Sequence, residues 1–151
     1  MATDNPVTHQ LGEHTARSVQ ETAAIAVELL PLMLKSGVVS LEGPLGAGKT
    51  HFVKATALAM GITEDVTSPT FTLLQSYGSG ENRLHHSDWY RLESEDEVLA
   101  LGLEDYYHDG LVFIEWGDKF ASILPPRTLR IRIEPRLEGT KEVRSFCWNV
   151  I

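Results

Sequence analysis

The 151-residue sequence contains one cysteine, Cys147. That excludes an internal disulfide framework and fits a reducing compartment. Cys147 sits between Phe146 and Trp148 in an alternating stretch, a setting that suits a packed thiol better than a nucleophile. No apolar run approaches the roughly 18 residues of a membrane span, and Met1 to Gly12 is polar and free of Lys and Arg, unlike a signal peptide. A cytoplasmic protein is therefore expected. Basic charge is also scarce: 13 Lys and Arg stand against 21 Asp and Glu, a net charge of −8. A protein that grips nucleic acid directly carries a basic footprint. The nearest candidate is Arg127, Arg130, Arg132 and Arg136, which alternate with apolar residues and suit the solvated face of a strand. His85 and His86 are adjacent and would face opposite sides of a strand, and His9, His14, His51 and His108 show no zinc spacing. Internal repeats and a second-domain linker are absent as well.

What the sequence does have is Gly43-Pro44-Leu45-Gly46-Ala47-Gly48-Lys49-Thr50, placed between an apolar strand (Val38 to Leu41) and a helix-like run. This is a complete phosphate-binding loop in its required context. Gly43, Gly46 and Gly48 let successive N–H groups turn toward phosphate oxygens. Lys49 supplies a charge for the β- and γ-phosphates, and the Thr50 hydroxyl is placed to coordinate Mg²⁺. Leu45 and Ala47 within the loop, and His51 after it, complete the expected nucleotide contacts.

The remaining pattern predicts an α/β fold: a P-loop NTPase-like three-layer sandwich with a mixed sheet, a parallel centre and antiparallel edge strands. Residues 1–17 read as an N-terminal extension and edge segment, extended through Thr15-Ala16-Arg17, and residues 18–151 as a single P-loop ATPase domain. Ser18 and Glu21 form a capping box, opening a helix whose apolar face runs through Ala23, Ala26, Val27, Leu30 and Leu34. Pro31 predicts a kink or an early stop. A second helix spans His51 to Met60, with Phe52, Ala55, Leu58 and Ala59 for burial and Gly61 as its stop. Phe71 to Tyr77 and Arg83 to Asp88 read as a hairpin turned at Gly78-Ser79-Gly80. Ser94 to Leu101 is a short helix with acids at its start. Leu111 to Ile114 has the composition of a strand buried on both faces. Leu129 to Ile133 and Arg144 to Val150 alternate like half-exposed strands at a sheet margin.

Phosphate chemistry also needs a carboxylate at the carboxyl end of a buried strand. Glu115, ending the apolar run, has the better pattern for a direct metal ligand. Asp88, ending the less apolar Leu84 to Ser87, could act on the metal through water or position an attacking water. Thr67-Ser68-Pro69-Thr70-Phe71 occupies the slot of a phosphate-sensing switch, or is a proline turn before a strand. Trp116 either borders the nucleotide pocket or belongs to the core.

Gly46-Ala47-Gly48-Lys49-Thr50, Ser68-Pro69-Thr70-Phe71, His86-Ser87-Asp88-Trp89-Tyr90-Arg91-Leu92 and Ile114-Glu115-Trp116 come in the order and rough spacing of one family. The chain resembles the bacterial TsaE ATPases of tRNA threonylcarbamoyladenosine biosynthesis, from about Ser18 to Leu124. The resemblance implies that Lys49 and Thr50 bind phosphate and Mg²⁺, that Glu115 is the second Mg²⁺ ligand, and that Asp88 and Thr70 serve hydrolysis and switching. It also implies that Trp116 lies by the nucleotide and that Ser18 and the loop near Gly139 border the adenine. The implied cofactors are ATP and Mg²⁺, and the implied partners are TsaD-like and TsaB-like subunits, with tRNA reached only through them and no membrane involved. Trp89 departs from the family, which commonly has a smaller aliphatic residue there. Two other functions fit the loop: a nucleotide-gated binding module without useful turnover, and a small-molecule kinase. A GTPase fits poorly, because Asn-Lys-x-Asp and Asp-x-x-Gly are both missing.

Overall fold

A seven-stranded sheet organises the chain in the computed structural model, which describes residues 11–69 and 71–151. The strands are β1 (Leu11–Ala16), β2 (Val38–Glu42), β3 (Leu74–Ser79), β4 (Asn82–Asp88), β5 (Leu111–Glu115), β6 (Leu129–Glu138) and β7 (Lys141–Val150). Their spatial order is β1-β7-β6-β2-β5-β4-β3. The pairs β6–β2, β2–β5 and β5–β4 are parallel, while β1–β7, β7–β6 and β4–β3 are antiparallel. A parallel centre with antiparallel margins is thus present, as the sequence pattern implies.

Strand alternation divides the core in two. Leu41, Leu84, Phe113, Ile131 and Phe146 pack on one face with α1 (Val19–Ser36) and α2 (Lys49–Ala59). Val38, Val112 and Ile114 point to the other face, under Trp89, Leu92, Val98, Leu103 and Leu124. That second layer consists of α3 (Glu95–Leu99) and the 3-10 turns Leu103–Asp105 and Gly117–Ile123.

Several elements depart from expectation. Helix α1 does begin at Ser18, whose Oγ accepts from Glu21 N at 3.1 Å, but Glu21 reaches back to Arg17 N at 2.8 Å rather than to Ser18. It then runs through Pro31 to Ser36. Pro31 lies on the exposed face, where water can take the carbonyl that loses its helical donor. Ala26 is buried as expected, but it is joined by Thr22, Ile25, Leu29 and Met33, while Ala23, Val27 and Leu34 are exposed. Both stripes have helical spacing, and the bulkier one is buried. On α2, Phe52 and Ala55 are buried as expected, but Val53 and Ala57 join them while Leu58 is exposed.

The hairpin is shifted too. Phe71 is in a turn and exposed, β3 starts at Leu74, and Gly78 pairs with Arg83 inside the ladder. The connection is the two-residue Gly80-Glu81, the length favoured by tight hairpins. Strand β6 is not marginal: it lies between β2 and β7, with Leu129, Ile131 and Ile133 fully buried. The margins are β1 and β3, and Cys147 is exposed on β7 rather than packed. Residues 1–10 of the expected extension, and Thr70, lie outside the described residues.

Candidate functional site

Strand β2, buried along its whole length, delivers the chain to Gly43 at the carboxyl edge of the sheet. A Cβ on Gly43 would stand 2.1 Å from the Ile133 carbonyl oxygen, so only glycine lets the loop pass this close to β6. Gly48 then caps α2 with φ of 101°, a left-handed conformation costly for other residues. Between them the loop wraps in front of the first turn of α2, whose free N–H groups and dipole favour an anion.

Lys49 and Thr50 start the helix. The Lys49 ammonium donates to the carbonyls of Gly43 and Pro44 at 2.8 Å each and lies 4.5 Å from the centre of the Trp116 ring. Burial pulls its pKa down, against the raising effect of Glu115 and Asp88. Thr50 Oγ1 donates to Glu115 Oε2 at 2.8 Å. The parallel register Asp88↔Glu115 and His86↔Phe113 sets His86, Asp88 and Glu115 on the sheet face that carries α2. There the His86 Nε2–H donates to the same Glu115 oxygen at 2.6 Å. Because a carboxylate oxygen accepts, this contact places the ring proton on Nε2. Burial pushes the Glu115 carboxyl up, but the His86 contact, the Thr50 hydroxyl and the Lys49 charge outweigh it and hold it below the ordinary glutamate value. Asp88 goes the other way. Burial raises it, with Glu115 adding to the rise, although the Tyr90 N–H donates to its Oδ1 at 2.9 Å.

Lys49, Thr50, Asp88 and Glu115 line a cleft of about 440 Å³ together with Leu45, Gly46, Gly48, His51, Ser68, Tyr90, Arg91 and Trp116, and His86 lies buried behind Glu115. Trp116 has a left-handed backbone, φ 63°, and its ring lies tilted against Tyr90, with the ring centres 4.9 Å apart. A second cavity of about 340 Å³ lies past the loop, bordered by Ser18, Arg17, Ala47, Gly48, His51, Val143, Arg144 and Phe146. His51 belongs to both.

Most of the expected site residues therefore converge. Leu45, Gly46, Gly48, Lys49, Thr50, His51, Asp88, Glu115 and Trp116 meet in the cleft, and Ser18 and Ala47 border the neighbouring cavity. Gly43 lines neither of these and instead anchors the loop against β6. Gly139 sits at the turn between β6 and β7 and lines neither; Val143 and Arg144 of the same hairpin border the second cavity. Thr70 lies outside the described residues. Sequence reasoning missed His86 as the partner of Glu115, and also Tyr90, Arg91 and Arg144. The signal for His86 was its two-residue spacing from Asp88, which places both on one strand face.

The donor set suits a hard divalent cation shared with phosphate. It offers hydroxyl and carboxylate oxygens, and among the described residues no cluster of three or more His, Cys, Asp or Glu side chains could hold a metal alone. Magnesium in phosphate sites takes one or two protein ligands and completes its shell from phosphate and water.

Comparison with known proteins agrees with this geometry. The family model described as threonylcarbamoyl adenosine biosynthesis protein TsaE matches residues 16–143. The chain is 43% identical over 129 residues to the tRNA threonylcarbamoyladenosine biosynthesis protein TsaE of Treponema pallidum, covering 85% of this chain and 95% of that protein. It is 37% identical over 154 residues to the protein of that name from Nostoc, covering 99% and 94%. The crystal structure of Bacillus subtilis YdiB superposes with a TM-score of 0.67 at 32% identity, covering 91% of this chain and 84% of that one. The chain belongs to the TsaE family of threonylcarbamoyl adenosine biosynthesis proteins.

Proposed function

We propose that the chain binds ATP with magnesium in the cleft and hydrolyses it to ADP and phosphate. It does so as one subunit of the machinery that forms threonylcarbamoyladenosine beside the tRNA anticodon, together with TsaD-like and TsaB-like partners. The observation that carries this reading is the 2.8 Å bond from Thr50 Oγ1 to Glu115 Oε2. It joins the first turn of α2 to the end of a buried strand, next to a buried lysine, as phosphoryl chemistry requires.

The loop amides and the N-terminus of α2 orient the phosphate tail, and the cavity beside Ser18 and Phe146 offers the adenine a partly apolar seat. Lys49 exchanges the Gly43 and Pro44 carbonyls for phosphate oxygens. Thr50 and Glu115 would hold magnesium, whose charge, when the ion is bound, would offset that of the phosphates. Asp88 is half-buried, lifted in pKa and fixed by the Tyr90 N–H, so it is suited to orient the attacking water and accept its proton. The net charge of −8 supports a division of labour in which the partners hold the tRNA. No helix among the described residues is long and apolar enough to cross a membrane, and the reading places the protein in the cytoplasm with its substrate RNA.

Single-turnover hydrolysis measured with and without the partner subunits tests this: faster turnover in their presence is expected, and its absence would overturn the reading. Asp88→Asn should lower turnover by about 100-fold or more while leaving ADP binding intact. Full pathway activity in that variant would instead favour a nucleotide-gated module.

A further inference from the structure

Glu115 is held from behind by a residue that the phosphate chemistry does not itself use. His86 is fully buried in β4, and of its two ring nitrogens only Nε2 has a partner among the described residues, Glu115 Oε2 at 2.6 Å. The Nδ1 atom is buried without one. An aliphatic side chain would fill this interior strand position without stranding a polar atom. What imidazole alone adds is the Nε2–H aimed at the carboxylate.

Both of the donors to Glu115, His86 Nε2 and Thr50 Oγ1, converge on Oε2. Two bonds on one oxygen, from two different elements, fix the rotation of the carboxylate and leave Oε1 engaged by neither. The two are not equivalent. Thr50 is itself expected to turn to the cation, whereas His86 lies inside the sheet and has no other partner among the described residues. We propose that His86 is the positioning residue for the magnesium site: its Nε2–H holds Glu115 in the metal-binding orientation when Thr50 is drawn to the ion. Outer-shell donors of this kind orient metal-binding carboxylates and add to metal affinity. The inference rests on the reading of the cleft as a magnesium-nucleotide site.

Calorimetric titration of ADP in EDTA and in magnesium tests both, with the metal-dependent gain in affinity as the readout. Wild-type protein should gain affinity with magnesium. His86→Leu should lose about ten- to a hundredfold of that gain while its affinity in EDTA stays at the wild-type level, a split that a general folding defect would not produce. His86→Gln, whose amide nitrogen reaches the place of Nε2, should restore most of the gain. His86→Asn, whose amide falls where Nδ1 stood, should not, and this pair decides the matter even if the leucine variant fails to fold. A full metal gain in His86→Leu, or equal behaviour of the Gln and Asn variants, overturns the role of His86 and leaves the cleft reading standing. A wild-type protein that gains nothing from magnesium overturns the cleft reading, and the role of His86 with it.

Discussion

Lys49 Nζ rests 4.5 Å from the centre of the Trp116 ring while donating to two carbonyls of its own loop. The lysine is thus kept dry and oriented by groups that a phosphate can replace. A cation over an indole face is worth about 0.5–2 kcal/mol, small beside a charge-assisted bond to phosphate, so a nucleotide should win the ammonium.

Trp116 should therefore report binding. Addition of ADP and magnesium is expected to change its emission, and Trp116→Phe should abolish that change; because the contact with Lys49 competes with phosphate, weakening it should leave ADP affinity unchanged or raise it by up to about fivefold. Trp89 is fully buried and Trp148 packs over Gly12 on the β1 margin, so neither should respond. An undiminished fluorescence titration in Trp116→Phe would show that Trp89 or Trp148 carries the signal and that Trp116 is not the reporter of the cleft.

The two acids of the cleft should impose opposite pH dependences on stability. Glu115 is held below its ordinary value of 4.5, so its contribution is complete above that pH and drains away as pH falls through 4.5 toward the folded value. Asp88 is raised above 3.8 by burial. In that window the native state binds more proton than the unfolded chain, and acidification returns stability. Melting curves between pH 7 and about pH 3 should show Glu115→Gln losing less stability on acidification than wild type and Asp88→Asn losing more. The reverse order would mean the assigned shifts are wrong.

Two arginines on one strand face should differ sharply. Arg130 makes a forked pair with buried Glu42, Nε to Oε2 at 2.6 Å and Nη2 to Oε1 at 2.9 Å. Among the described residues Arg132 makes its ion pair with Glu134, a neighbour two positions along its own strand. Arg130→Met strands a buried carboxylate and should destabilise by about 2 kcal/mol, a melting-point fall of about 4–8 °C for a chain of this length. Arg132→Ala should stay within about 0.5 kcal/mol. Equal effects from the two would refute the distinction, which thermal denaturation can read directly.

That contrast also marks how far the sequence is legible. Period-two alternation placed Arg130 and Arg132 correctly on one face, but it cannot say what covers that face, because Glu42 comes from another strand 88 positions away. For the same reason β6 read as a margin: its alternation is real, yet β2 and β7 pair with its two edges and the β2 acid Glu42 meets Arg130 on its polar face. The loop, Glu115 and Asp88 were legible because each is set by local chemistry, a glycine pattern or the end of an apolar run. His86 was hidden, since its partner is fixed by the β4–β5 register. The helix α1 misreading has a local cause, two stripes of helical spacing on one segment, and only packing volume chose between them.

Gly43 separates what the loop needs for folding from what it needs for phosphate. Its Cβ would meet a backbone carbonyl at 2.1 Å, and that carbonyl belongs to Ile133, a fully buried residue on an interior strand. No side chain can rotate away to make room, and φ at Gly43 is 139°, a region open essentially to glycine alone. Gly43→Ala should therefore lower stability by more than about 3 kcal/mol, the scale of a steric and backbone defect combined, and lower the melting point accordingly. Gly46 offers the control. It also has positive φ, at 77°, but a Cβ there meets nothing within 4 Å, so Gly46→Ala should cost only about 1–2 kcal/mol of backbone strain while crowding the phosphate side of the loop. The expected pattern is that Gly43→Ala fails first by heat and Gly46→Ala fails first in ADP binding. If Gly43→Ala melts like wild type, the loop is not anchored on β6 and the close approach at Ile133 is not what fixes its shape.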